Sequence, residues 1–278
     1  MKKINRPTAF QLGFLASSLI AAILQALAVQ LSYDSSSHYF QSGDLLSVFA
    51  TIFATLGLIC GAVGVFIPKK ESASPNIFER RNFLNPLAAG AIVATLLFAG
   101  DRLLNADFEK SFTRFDLCLI LCLLVTVAYA LLSGIQNAAG QTTLTAFFGL
   151  FAIIACILLN AYYYFDRSIE MNAPLKTSVQ VGLLFTMLFL TSEIRYLLDT
   201  PMPRMMQLFA LGTIAFGSLS VLAIPVAFFT GKLSRLDYLA GAILVLGVIP
   251  TAIIRLYTLN ALPKAEPTPP EEDQEKTE

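Results

Sequence analysis

Eight apolar segments, each about twenty residues long, constrain the fold of this 278-residue chain more than any other feature. The hydrocarbon layer of a bilayer is about 30 Å thick, and a helix needs roughly 20 apolar residues to cross it. Backbone N–H and C=O groups find no water there, so such segments cross as helices. The sequence therefore predicts an all-α integral membrane protein, a polytopic bundle of about eight transmembrane helices with short loops. We place the spans near residues 9–31, 44–67, 84–104, 115–133, 143–164, 177–198, 206–229 and 236–258.

The charge content excludes most soluble proteins. Only 14% of the residues are charged, whereas a soluble domain carries about a quarter. Lys and Arg together number 19, as do Asp and Glu, so no net charge attracts nucleic acid. We expect one transmembrane domain over residues 1–262. The remainder, 263–278, is rich in proline and acidic residues, which predicts a disordered cytoplasmic tail.

The positions of the basic residues predict the orientation of the chain. Basic residues are absent between the first and second spans, and they occur before the first span and after the second. Loops rich in Lys and Arg stay in the cytoplasm, so we expect both termini there, in the cell membrane. The loop after the second span could also hold anionic lipid, through cations worth about 1 kcal/mol each. Its basic residues are Lys69, Lys70, Arg80 and Arg81.

Tyrosines cluster where this orientation puts the outer membrane boundary. The chain has no tryptophan, so tyrosine would supply the aromatic belt that membrane proteins place at the interface. We expect this anchoring role, with a ligand-stacking site as the alternative. The tyrosines concerned are Tyr33, Tyr39, Tyr162, Tyr163, Tyr164 and Tyr238.

The stretch LTSEIRYLLDTPMPR places ionisable side chains at the end of the sixth span. A charge within a span is costly to insert, so it is a candidate functional residue by default. Glu193 and Arg195 lie two apart and point in different directions, whereas Arg195 reaches Asp199 at i,i+4. Glu193 then needs a cation on another span, and Arg255 and Arg204 lie at the nearest depth. We expect a structural ion pair between helices; a gating or proton-coupling carboxylate and an interfacial residue without a special role are the alternatives.

Among the amide side chains within the spans, we single out Gln25 and Gln30 in the first and Asn160 in the fifth. Amides commonly cross-link membrane helices through hydrogen bonds worth about 0.5–2 kcal/mol. We expect cross-links of this kind. The alternative is that these residues line a cavity and contact a solute.

Small residues recur at helix-packing intervals in two spans. Gly57, Gly61 and Gly64 in the second span include one GxxxG, and Gly90 with its alanine neighbours does the same in the third. Such spacing lets two helix backbones approach closely. It indicates a contact face, either within the bundle or between copies of the chain.

Motifs of soluble enzymes are absent from the sequence: it contains no GxxxxGK[ST], HExxH, GxSxG or CxxC. All four cysteines lie in apolar runs, which is typical of small packing residues. His38 is the single histidine, and no cysteine or carboxylate cluster accompanies it to form a metal site. We therefore predict no catalytic residue, no metal and no cofactor, and expect a protein that is not an enzyme.

The function that fits these features best is a small permease for a small or amphipathic solute. Its path would run between the seventh and eighth spans, where Pro225 and Pro250 predict kinks. Glu193 would stand at the inner gate, and several polar groups would face one cavity. The expected partners are the lipid bilayer and possible membrane-protein partners or further copies of the chain, with no nucleic acid.

Two other functions remain open. A non-catalytic membrane subunit, assembly factor or sensor would contact a partner membrane protein, or a second copy, through its helices. It would pack tightly without a continuous cavity. An intramembrane lipid-modifying enzyme, with Glu193 or Asp199 as the acid or base, is the third; it would need converging titratable groups, and the spans offer this one cluster.

Overall fold

The structure is a computed structural model, and it describes four stretches of the chain: residues 6–66, 85–104, 113–135 and 142–260. The basic residues considered for anionic lipid (Lys69, Lys70, Arg80 and Arg81) and the tail 263–278 lie outside the described residues.

Nine α-helices make up the described stretches. They are α1 (Arg6–Ser32), α2 (Leu45–Phe66), α3 (Pro86–Leu104), α4 (Arg114–Ile135), α5 (Thr142–Phe165), α6 (Pro174–Leu197), α7 (Pro203–Val221), α8 (Ala223–Phe229) and α9 (Leu236–Asn260). With α7 and α8 counted together, eight spans among these residues are long and apolar enough to cross a membrane. This confirms the predicted helical bundle.

A proline explains why the seventh span consists of two helices. Pro225 has no N–H, and its ring crowds the carbonyl four residues earlier, which belongs to Val221. Val221 is the residue at which α7 ends, and α8 begins at Ala223. The interruption expected at Pro225 is therefore present. In contrast, α9 continues through Pro250 as one helix.

The bundle has two ends, which we call proximal and distal. The proximal end is where α1 begins and α9 ends, and the distal end is where α1 ends and α9 begins. Helix α9 packs against α3, α6, α7 and α8, and α7 also contacts α1, α2 and α6. Helices α7 and α9 therefore form the centre of the bundle, while α2 lies at its edge.

The small-residue faces pack inside the bundle. A Cβ atom added at Gly57 would lie 2.9 Å from the Cβ of Ser17 in α1, and one added at Gly61 would lie 2.8 Å from a methyl group of Leu211 in α7. A Cβ atom at Gly90 would lie 2.8 Å from the Cα of Gly247. Here the backbones of α3 and α9 touch, so these positions serve the contact between helices of one chain.

The contact between α3 and α9 yields a stability prediction. We expect Gly90→Ala to destabilise the protein by about 1–3 kcal/mol, because the added methyl group meets backbone, which cannot move aside as a side chain can. Gly100 in the same helix has no atom within 4 Å of its added Cβ. Gly100→Ala is the matched control and should be neutral or stabilising. Thermal unfolding in detergent measures both, and equal shifts would contradict the close approach.

Candidate functional site

At the proximal end, Glu193 joins three helices. Its Oε1 accepts a hydrogen bond from the Nε of Arg255 in α9 at 2.7 Å, and its Oε2 accepts one from the hydroxyl of Tyr129 in α4 at 3.1 Å. The Glu193 side chain is 2% exposed and that of Arg255 11%. A buried carboxylate needs both a cation and hydrogen bonds to offset its desolvation. This arrangement provides both, and it connects α4, α6 and α9.

The other charged residues of this region stay apart from the pair. Arg195, Asp199 and Arg204 are exposed, and among the described ion pairs none includes any of them. The expected bond between Arg195 and Asp199 is therefore absent. The reason is that α6 ends at Leu197, and Asp199 has a left-handed backbone with φ of 54°. The i,i+4 geometry requires a helix that continues to the second residue.

The Glu193 contact can be tested by a double-mutant cycle. We expect Glu193→Gln and Arg255→Gln each to destabilise the protein by about 3 kcal/mol, because each removes one partner of a buried ion pair. The double variant should recover part of this loss. Thermal unfolding in detergent provides the measurement, and Arg204→Gln, at an exposed position, is the control. Strictly additive losses would show that the two side chains do not stabilise each other.

At the distal end, Asp237 in the first turn of α9 is the centre of a second polar cluster. Its side chain is fully buried. Arg235 binds both carboxylate oxygens, through Nε at 3.1 Å and through a shorter contact from Nη2. The hydroxyl of Tyr162 donates to the same carboxylate at 2.6 Å, and that of Tyr163 donates to the Asp237 carbonyl at 2.7 Å. The end of α5 is thereby attached to the start of α9.

The loop after α5 belongs to this cluster. Arg235 also forms an ion pair with Asp166 at 3.3 Å, and Asp166 accepts a hydrogen bond from the hydroxyl of Tyr238 at 3.1 Å. Lys176, in the first turn of α6, is 1% exposed and donates to the carbonyls of Asp166 and Ile169 at 2.6 and 3.0 Å. A buried ammonium group thus holds the loop between α5 and α6 in place.

Arg102, at the end of α3, lies beside this cluster. Its guanidinium lies over the rings of Phe98 and Tyr162, 5.3 and 4.8 Å from their centroids. Its Nε is 3.3 Å from Asp116 in α4, but this buried nitrogen has no hydrogen-bond partner. Asp116 instead accepts from the N–H and hydroxyl of Thr113, as in a helix-capping box. Arg102 therefore keeps donors that the described residues do not use.

A cavity of about 680 Å³ opens between these side chains, and we call it the distal cavity. Three carboxylates and two guanidinium groups face it, together with aromatic side chains from α4 and α5. It is lined by Asp101, Arg102, Thr113, Phe115, Asp116, Tyr162, Phe165, Asp166, Ser234 and Arg235. Such a site can hold a small molecule that has both charged and apolar parts. Within the described residues no group of three His, Cys, Asp or Glu side chains converges to hold a metal ion.

Asp166 and Arg235 lie outside the spans, and the pKa of each shifts toward the charged form. Burial acts to raise the pKa of Asp166, but hydrogen bonds from Ser168 and Tyr238 and the charge of Arg235 outweigh it and leave the pKa below its usual value. Burial acts to lower the pKa of Arg235, but the bond to Asp237 and the charges of Asp237 and Asp166 outweigh it and raise the pKa. Both groups are therefore charged at neutral pH.

The lowered pKa of Asp166 predicts how stability depends on pH. Its carboxylate stabilises the fold above its unfolded pKa of about 4, and this contribution is lost as the pH falls through the folded pKa. We expect Asp166→Asn to lower the melting temperature by a few degrees at pH 7, and the difference from wild type to shrink below pH 4. Asp199→Asn, at an exposed position, is the control at each pH. A difference that widened toward acid pH would contradict the shift.

The sequence analysis missed the distal cluster, and its expectation of an interfacial tyrosine belt is wrong for two tyrosines of this cluster. Tyr163 and Tyr238 are fully buried and do not form an interfacial belt, although Tyr164 is 52% exposed, as an interfacial residue would be. The sequence does contain a signal for this cluster, because charged residues recur at the helix ends that lie on one side of the bundle. The ends of α3 and α5 and the starts of α4, α6 and α9 all carry Asp, Lys or Arg, and the predicted topology places these ends together.

The three amides have different surroundings. Asn160 donates to the backbone carbonyl of Gln180 at 3.1 Å and so cross-links α5 to α6. Gln30 is exposed. Gln25 is 5% exposed and lines a second cavity, of about 460 Å³, near the distal end. Gln25 therefore lines one of the two cavities described here, and Gln30 and Asn160 line neither.

The comparisons with known proteins identify no relative of this chain. No protein-family model matches the sequence, no curated protein is detectably similar to it, and no solved structure matches its fold. The site geometry and the helical membrane bundle are therefore the basis of the functional argument.

Proposed function

We propose that the protein is a permease that binds a small zwitterionic solute in the distal cavity and moves it across the bilayer. The observation that supports this most is the distal cavity itself, in which charged groups from several helices face one space of about 680 Å³. Small-molecule sites usually measure about 300–1,000 Å³. The proposal assigns no chemical step to the cavity, so the protein would not be an enzyme.

The charged residues that line the distal cavity favour a solute that carries both a positive and a negative charge. Arg235 is occupied by Asp237 and Asp166, whereas Arg102 has donors to spare and would hold an anionic group such as a carboxylate. Asp101, which is 2% exposed, and Asp116 would face a cationic group. The lining has three carboxylates against two guanidinium groups, which disfavours an anion without an accompanying positive charge.

The contacts of Glu193 at the proximal end support the proposal that the protein is a carrier. The proposed path from the distal cavity toward the proximal end runs between α4, α6 and α9, which the contacts of Glu193 with Arg255 and Tyr129 join. A carrier exposes its site to one side of the membrane at a time. The ion pair would be the contact that opens when the site faces the proximal side.

The proposal is tested by binding and then by transport. The purified protein is heated in detergent with L-leucine, L-phenylalanine or glycine betaine as zwitterions, and with acetate, ethylammonium or glucose for comparison. We expect a zwitterion to raise the melting temperature, because a ligand that binds the folded state stabilises it. Arg102→Gln should weaken this binding about tenfold or more, which corresponds to the loss of one charged hydrogen bond. Proteoliposomes should accumulate the same solute in a saturable manner.

Arg167→Gln is the matched control for Arg102→Gln. Arg167 is an exposed arginine at the same end of the bundle that does not line the distal cavity. Its substitution should leave both binding and uptake unchanged. The zwitterion assignment is wrong if only acetate, ethylammonium or glucose stabilises the protein. Stabilisation without uptake would instead favour a membrane sensor or subunit that binds a ligand through this cavity.

A further inference from the structure

The second cavity is a cleft between two helices that pack against other parts of the bundle. Helix α2 packs against α1 and α7, and α6 packs against α5, α7 and α9. The cleft of about 460 Å³ lies between them, with Val48 and Thr51 of α2 on one side and Val181 of α6 on the other. Phe216 of α7 and Gln25 of α1 also line it. None of these residues takes part in the proposed solute site.

The cleft opens toward the bilayer near the distal end and extends from there into the depth of the lipid acyl chains. Thr51 and Val181 are the seventh and eighth residues of their helices, which places them about 10 Å from the distal end at 1.5 Å per residue. Val48 is 52% exposed and Ile52, on the next turn, is 44% exposed. Exposed apolar residues on a transmembrane helix contact lipid. The medium that surrounds the cleft is therefore the outer part of one lipid leaflet.

The lining of the cleft is uncharged and has both polar and apolar parts. Hydroxyl and amide groups face it beside valine, leucine and phenylalanine side chains, and no charged residue lines it. Gln25 is 5% exposed and lines the cleft, and within the described residues its side-chain amide makes no hydrogen bond, although its polar atoms are not fully enclosed. An amide that faces an apolar medium without a hydrogen-bond partner is unfavourable. A ligand that brings a carbonyl acceptor attached to an apolar chain would remove this cost.

We propose that the cleft between α2 and α6 is a binding site for one glycerolipid molecule from the surrounding bilayer. An ester carbonyl of the lipid accepts a hydrogen bond from the amide of Gln25. The adjoining acyl chain runs deeper into the bilayer, past Val181 and along Phe216. The absence of charge from the lining means that the glycerol and ester region is recognised, while the headgroup remains in the aqueous interface.

Photo-crosslinking in vesicles tests this site. The full-length protein is reconstituted into phosphatidylcholine vesicles that contain a small fraction of phosphatidylcholine with a diazirine near the ester end of one acyl chain. After irradiation, mass spectrometry locates the labelled residues. We expect the label to concentrate on Val48 and Thr51, relative to the other exposed residues of α2. Val181→Trp, which fills the cleft from α6, should lower the labelling of these two residues about tenfold, the equivalent of about 1.4 kcal/mol.

Two matched pairs separate this site from general lipid contact. Leu184→Trp introduces the same side chain at a 43% exposed position of α6 outside the cleft, and it should leave the labelling of α2 unchanged. Gln25→Leu removes the amide, and Gln30→Leu makes the same change at an exposed position of α1. Gln25→Leu alone should lower the labelling, so this pair decides the question if Val181→Trp fails to fold. Label spread evenly along the exposed face of α2 in the wild type, or equal effects within each pair, would overturn the proposal.

Discussion

Hydrocarbon provides neither hydrogen-bond partners nor solvation for charge, and the rest of this structure follows from that constraint. Backbone groups are satisfied within helices, and ionisable side chains gather near the two ends of the bundle. The proximal end meets the requirement with one buried ion pair and a tyrosine, which join α4, α6 and α9. The distal end meets it with a network around Asp237, which connects the end of α5 to the start of α9.

The two ends of the bundle differ in whether their charged side chains keep hydrogen-bonding groups available for a ligand. At the proximal end both carboxylate oxygens of Glu193 are bonded, and its side chain is 2% exposed. At the distal end Arg235 and Lys176 are used to hold backbone and carboxylates in place, whereas Arg102 rests on aromatic rings with donors to spare. A binding site needs rigid surroundings and a few uncommitted polar groups. The distal cavity has both, which is why the proposed solute site lies there.

The partner of Glu193 illustrates how far local reasoning extends. Depth along a span can be counted from sequence, so Arg255 was one of two cations considered, but choosing it over Arg204 depends on the position of α9 beside α6. The bond from Arg195 to Asp199 was a local expectation, and it failed because the helix ended at Leu197. Tyr163 was expected at the interface, yet the packing of α5 against its neighbours buries it.

The sequence by itself determined the bilayer environment, the number of spans and the interruption at Pro225, because each depends on apolar length or on the backbone of a single residue. Only the tertiary structure decided which polar groups meet. The distal cavity combines residues from α3, α4 and α5 with the loops that follow α5 and precede α9. Their contacts are set by helix positions and rotations that no local pattern encodes. The cleft beside Gln25 likewise exists because α2 and α6 pack on other helices.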